Sequence, residues 1–262
     1  MRAYGIPNTR RSLLRDKDLA RILGDLTGDG HLQLSGRRGS ASFYSKDIRA
    51  VRNQNKRFKR LFNVEGRIYT DRRENIRYKI FFSSKKLATF LESIGLPAGN
   101  KTNVKFSVPK WIMKSNRDIK SSYLRGIFTA EACVSVTKKR WRIHIEQYKS
   151  VKMKKSGVGY MSQLRLLLKE FGIVASPVRF GKGNIRKDGS KSIRMQFDIE
   201  KRYFDKFYKC IRFDNKIKNH KLKIALRGQA RVRLKNRTLK VRQDPSLLLA
   251  KSGPTLLFAQ KR

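Results

Sequence analysis

The chain has 262 residues with 64 Lys+Arg against 19 Asp+Glu, a formal net charge of +45. At 39% hydrophobic and 10% aromatic it holds enough apolar material for a packed core, so disorder is not the expected state. A surface this positive repels itself unless it meets a polyanion. Nucleic acid is the expected partner rather than membrane, because no run approaches the roughly 18 apolar residues of a membrane span and the N-terminus MRAYGIPNTRR has no signal-peptide core.

In chain order, residues 1–15 read as an N-terminal extension. After Asp16 and Asp18, acids suited to a helix start, Leu19, Ile22, Leu23 and Leu26 make an amphipathic helical stripe. Strict alternation then predicts a strand from Gly30 to about Gly36 and another over Ala41–Ser45, ending in Lys46. A helix carrying Phe58, Leu61 and Phe62, a hairpin of Gly66–Tyr69 with Arg77–Phe82, and a helix carrying Leu87, Phe90, Leu91 and Ile94 complete a first unit over 16–106. A join over 107–116 offers Ser115 and Asn116 as helix caps.

The pattern then repeats at an offset of 102, aligning Leu23 with Arg125, Gly24 with Gly126, Thr27 with Thr129, Gly28 with Ala130 and Asp29 with Glu131. A second unit over 117–226 has a helix carrying Leu124, Ile127 and Phe128, strands Cys133–Val136 and Trp141–Glu146, and then Lys149. Next come a helix with Leu164, Leu167, Leu168 and Phe171, a hairpin of Val178–Phe180 with Ile193–Ile199, and a helix with Tyr203, Phe204, Phe207 and Ile211. The fold class is therefore α+β: two pseudo-symmetric αββαββα units, each an antiparallel sheet backed by helices. A basic extension occupies 227–262, where Gly228–Arg242 alternates apolar and basic residues and reads as either an arm on phosphate or a basic tail.

Glycine inside a helix costs about 1 kcal/mol relative to alanine, so Gly24 and Gly126 at matching positions call for close backbone approach of two helices packed in parallel. Asp29 and Glu131 would then emerge together between the sheets. Two such carboxylates repel unless a hard divalent cation bridges them, and that cation can activate water and stabilise a leaving oxygen. Only three histidines occur, with no ligand spacing, and the two cysteines form no framework, so oxygen must supply any metal site. Lys46 follows Asp29 by 17 residues and Lys149 follows Glu131 by 18; both are expected to neutralise charge on a phosphate.

On the sheets, Gln33, Ser35 and Arg37 alternate with Leu32 and Leu34, and Arg67, Tyr69, Arg77 and Lys79 oppose Ile68 and Ile76. In the second half Ser135, Thr137, Lys139, Arg142 and His144 oppose Val134, Val136, Ile143 and Ile145. Arg179, Arg194 and Gln196 continue that face, which reads as nearly free of acids. Such side chains suit base edges, and a two-stranded ribbon fits the major groove of duplex DNA.

Ile22-Leu-Gly-Asp-Leu-Thr-Gly-Asp-Gly30 and Leu124-Arg-Gly-Ile-Phe-Thr-Ala-Glu-Ala132 resemble the two motifs of a single-chain LAGLIDADG homing endonuclease, over about residues 16–226. Asp25, Arg125 and Ala132 depart from the usual motif. The resemblance implies a monomeric, site-specific endonuclease cutting both strands of a long asymmetric DNA site. Metal would be bound by Asp29 and Glu131 with the motif positions Gly28 and Ala130, assisted by Lys46, Lys149 and a basic residue at Lys216 or Lys218. The expected cofactor is Mg2+, two or three ions, with Mn2+ or Ca2+ as substitutes. The alternative is a maturase binding intron RNA on the same scaffold. A basic structural protein would account for the charge but not for the duplicated acids, and an intein is disfavoured because no nucleophile opens the chain and no His-Asn closes it. An intracellular setting is expected.

Overall fold

The computed structural model describes residues 10–72, 76–137, 140–185 and 189–227. The first half runs α1 (Arg10–Leu13), α2 (Lys17–Asp29), β1 (Gly30–Ser35), β2 (Arg38–Ser45), α3 (Ile48–Phe62), β3 (Arg67–Asp71), β4 (Arg77–Ser83) and α4 (Lys85–Ser93). A linking segment containing α5 (Lys110–Met113) leads to α6 (Arg117–Glu131), β5 (Ala132–Thr137), β6 (Arg140–Ser150), α7 (Lys154–Glu170), β7 (Arg179–Ile185), β8 (Lys191–Glu200) and α8 (Phe204–Cys210). A further helix begins at residue 216. Each half forms one four-stranded antiparallel sheet, in the order β1-β2-β4-β3 and β5-β6-β8-β7. This is the duplicated α+β arrangement that the sequence predicts. Both halves belong to a single compact unit ending at Leu222, and Lys223 begins another. The Gly228–Arg242 segment lies outside the described residues, as does Lys139.

The helices start where local chemistry satisfies their free N–H groups. The Asp16 carboxylate accepts from Asp18 N at 2.7 Å to open α2, and the Asn116 side chain accepts from Ile119 N at 3.1 Å to open α6. Each sheet buries one face: Phe82 stacks on Phe58 of α3 at 3.9 Å between ring centroids, and Phe128, Phe207 and Phe213 form a chain of rings in the second half. The β1–β2 connection is tight because Gly36 adopts a φ of 50°, which places Arg37 in the turn rather than on the strand where alternation put it. Among the described residues no helix is long and apolar enough to cross a membrane.

The two halves join through α2 and α6. A methyl group added at Gly24 would lie 2.3 Å from the Tyr123 carbonyl oxygen, and one at Gly126 would lie 2.6 Å from Asp25 N. One added at Gly28 would meet the Ala130 side chain at 2.3 Å. The small residues are there because backbone touches backbone, as their matching positions imply. The polar departures in the motifs are also accounted for. Asp25, buried in α2, accepts from Arg21 Nε at 2.9 Å on both oxygens, and Arg125 Nε donates to Ile211 O at 2.7 Å.

Candidate nucleic-acid cleavage site

Asp29 and Glu131 are the last residues of α2 and α6, and the chain turns extended immediately after each, at Gly30 and Ala132. Because the helices touch at Gly28 and Ala130, the Glu131 side chain comes within 3.5 Å of the space above Gly28. Protein crowding around Glu131, reinforced by the Asp29 charge, pushes its pKa up to about 7, with Lys101 and Lys218 pulling the other way. Crowding likewise raises Asp29, against the same two lysines. Both carboxylates keep access to solvent.

These two lysines cap the helix ends in parallel fashion. Lys101 Nζ donates to Leu26 O at 3.1 Å, Thr27 O at 2.8 Å and Gly28 O at the end of α2. Lys218 Nζ donates to Thr129 O at 2.6 Å and Ala130 O at 3.2 Å at the end of α6. A cation at a helix C-terminus is favoured by the macrodipole, and each ammonium also faces the acids. Burial lowers the Lys101 pKa to about 8 despite Glu131 and Asp29, and lowers Lys218 as well. Lys218 was one of the two basic residues expected here; Lys101 carried no sequence signal beyond its place in an Asn-Lys-Thr-Asn loop.

Lys46 and Lys149 part company. Lys46 lines a cavity of about 660 Å³ together with Asp29, Arg77, Lys216 and Lys218. Lys149 is completely buried away from the acids, with Nζ donating to Lys101 O at 2.5 Å and Val104 O at 2.8 Å over the Phe106 ring. Its placement beside the phosphate is therefore corrected. Strand parity is the cause: Gly30 pairs with Phe43 and Ala132 with Ile145, so the position equivalent to Lys46 is Tyr148. The separations of 17 and 18 differ by one residue, and one residue on a strand reverses the face.

The site offers a hard cation an all-oxygen pair of carboxylates whose mutual repulsion a positive charge would relieve, so the residues fit Mg2+. Among the described residues no cluster of three or more His, Cys, Asp or Glu forms, which leaves further ligands to water or phosphate. The carbonyls of Gly28 and Ala130, the motif positions expected on the metal, accept from Lys101 and Lys218.

Each sheet carries a polar face and neither is free of acids; in the first, Asp71 stands opposite Arg77. In the first, Gln33 and Ser35 share a face with Arg67, Tyr69, Arg77 and Lys79 through the register Tyr69–Lys79 and Tyr44–Lys79. His31 and Arg38, not anticipated, lie in the same rows. In the second, Ser135, Arg142, His144, Arg179, Arg194 and Gln196 do share a face, and Thr137 falls in the same backbone row. That face is not free of acids, which corrects the reading from alternation alone. Asp198 binds His144 Nδ1 at 2.7 Å, Arg142 at 3.1 Å and Arg179, while Glu146 lies 3.3 Å from His144 Nε2 and 3.7 Å from Arg194.

Burial works against the Asp198 carboxylate, yet the bonds from His144 and Arg179 hold its pKa at about 2; the same bond raises His144. A depressed carboxylate stabilises the fold above its unfolded pKa and loses that contribution as pH falls; a raised imidazole stabilises below its unfolded pKa and loses it as pH rises. The pair should thus contribute most between about pH 4 and 6.5. Asp198→Asn is expected to destabilise by about 2 kcal/mol at pH 5, with the gap closing toward pH 2 and shrinking above pH 7. Chemical melts across that range measure it, and a gap independent of pH would dissolve the pair as an energetic unit.

A tRNA-splicing ligase RtcB of Pyrococcus abyssi is 30% identical over 187 residues, 66% of this chain but 20% of that protein. A glutamine--fructose-6-phosphate aminotransferase of Methanocaldococcus jannaschii is 28% identical over 80% of this chain and 17% of its own length. The chain thus spans about a fifth or less of these relatives. The solved structure of the homing endonuclease I-WcaI bound to its DNA recognition sequence shares the fold, with a TM-score of 0.50 and 14% identity over 84% of this chain and 95% of that one. The family model of the LAGLIDADG-like domain matches residues 16–95 and 118–211, the segments that build the two sheets and the paired helices, and the chain belongs to that family.

Proposed function

We propose that the protein is a site-specific double-strand DNA endonuclease. The observation that carries this reading is the convergence of Asp29, Glu131, Lys101 and Lys218 at the ends of two touching helices. The basic rows of the two sheets flank those helix ends. The name of the fold neighbour, a homing endonuclease bound to DNA, supports the same substrate. So does the distribution of relatives: one segment recurs in proteins named for unrelated activities while covering a small part of each, as expected of a module with its own task.

In this reading Asp29 and Glu131 hold Mg2+, which supplies Lewis acidity toward the phosphodiester and its attacking water. Lys101 and Lys218 stabilise charge that builds on the phosphate. Lys46 adds charge on one side only, where Tyr148 stands on the other, so the two strands meet non-identical surroundings. The maturase alternative leaves the paired carboxylates without a task.

A cleavage selection on randomised duplex DNA in Mg2+ tests the proposal: recovery of one long asymmetric site supports it, and an uncut library overturns it. On that site, Arg67→Ala should reduce the slope of log affinity against log salt by about 0.9, the value of one phosphate contact. Fluorescence anisotropy over a salt series measures this, and an unaltered slope would remove Arg67 from the interface.

A further inference from the structure

Two buried cations, Lys149 and Arg21, make their hydrogen bonds to groups other than Asp29 and Glu131. Lys149, from β6 of the second half, reaches across to the linking segment and donates to the carbonyls of Lys101 and Val104. Ser150 N adds a bond to Thr102 O at 3.0 Å, so two adjacent residues of β6 grip the loop that carries Lys101. Room for the lysine stem comes from Gly157 of α7, where a methyl group would stand 2.8 Å from Lys149 Cγ. The loop carbonyls accept from a donor that burial keeps away from water, so nothing else would replace those bonds if the ammonium were removed.

The reverse connection runs from the first half to the second. Arg21 of α2 is buried, with its Nε fixed by both Asp25 oxygens, and its Nη1 binds Asp214 at 2.7 Å. Asp214 N donates to Thr129 Oγ1 at 3.1 Å, and Lys218 N donates to Asn215 Oδ1 at 2.9 Å. The start of the helix that presents Lys218 therefore hangs between α6 and the Arg21 guanidinium. At the repeat offset of 102, Arg21 corresponds to Tyr123 and Lys149 to Asp47, so neither anchor has its own kind at the matching place in the other half.

We propose that the halves position each other's site lysines: Lys149 of the second half holds Lys101 at the end of α2, and Arg21 of the first half, through Asp214, holds Lys218 at the end of α6. Both are positioning residues. The proposal rests on the nuclease reading for its consequence and on geometry for its content. Each half can then complete its own cleavage centre only when docked on the other, and loss of one anchor slows one strand. A displacement of about 1 Å in a catalytic group is enough to cost about a hundredfold in rate.

The test uses the full chain with Lys149→Met and Asp214→Ala, followed by amide hydrogen exchange and by strand-resolved single-turnover cleavage of the selected site in Mg2+. Asp214 is partly exposed, so Asp214→Ala supplies a folded variant even if Lys149→Met melts early. The expected result for Lys149→Met is faster exchange confined to residues 99–106, cleavage of one strand slowed about a hundredfold with accumulation of nicked product, and DNA affinity within about twofold of the wild type. For Asp214→Ala the exchange change moves to residues 213–219 and the slow strand is the opposite one. Unchanged exchange in these segments overturns the proposal whatever the cleavage result. Equal slowing of both strands, or affinity lost in step with rate, overturns it in favour of a general structural role. If wild-type protein cuts no DNA while the exchange changes appear as stated, the anchoring stands and the nuclease reading falls.

Discussion

Asp29→Asn or Glu131→Gln should slow DNA cleavage by about a thousandfold or more while leaving affinity for the target DNA within a few-fold of the wild type. The amides preserve shape and hydrogen-bonding size but remove the charge that a divalent cation requires. Binding should survive because the residues proposed to meet DNA lie on the sheet faces rather than at these helix ends. Glu131→Gln carries a second, opposite signature. The raised pKa of Glu131 means that its charged form is disfavoured in the fold, a penalty that is absent below its unfolded pKa near 4.5 and complete above about 7. Discounted for partial exposure, the amide should stabilise the metal-free protein by about 1–2 kcal/mol at pH 8 and by nothing near pH 4. Single-turnover cleavage, anisotropy and melts at the two pH values measure the three parts. A variant that cuts at the wild-type rate removes the carboxylates from the chemistry; one that loses activity and stability together makes them merely structural.

The sequence carried the repeat, the helix ends and the strand faces because these follow from local periodicity. Gly24 and Gly126 were legible as contact points because glycine in a helix has a cost that only close approach offsets. Asp29 and Glu131 were legible because each closes an apolar stripe at the same phase. Lys149 was misplaced by a one-residue slip in matching the halves, and on a strand that slip exchanges solvent for core. Lys101 was invisible because it sits in a loop whose position depends on Lys149, on a strand 48 residues away. Asp198 and Glu146 had no place in the sequence reading of the basic face. Only pairing β6 with β8, which sets His144 opposite Asp198, shows that they neutralise part of the basic face.

Gly24→Val should be the most destabilising single substitution at the helix pair. The first added carbon at Gly24 falls 2.3 Å from a backbone oxygen of Tyr123 and 3.1 Å from Gly126 Cα, so no rotamer change can relieve it and the helices must separate. Overpacking against side chains typically costs about 1–3 kcal/mol, and backbone contact leaves less room to yield, so about 3 kcal/mol or more is expected. For a unit of this size that corresponds to a fall in melting temperature of about 6–12 °C. Gly159 of α7 provides the opposite control: a methyl group there meets nothing within 4 Å, so Gly159→Ala should stabilise by about 0.5–1 kcal/mol through helix propensity alone. Gly28→Ala falls between them, because the atom it meets at 2.3 Å is the Ala130 side chain, which can shift slightly with its helix. Any such shift moves the ends of α2 and α6 apart, so Gly28→Ala should lose cleavage rate out of proportion to its loss of stability. Melting and cleavage measured on the three variants decide the matter: a Gly24→Val protein as stable as Gly159→Ala would mean that the two helices do not meet as closely as their glycines require.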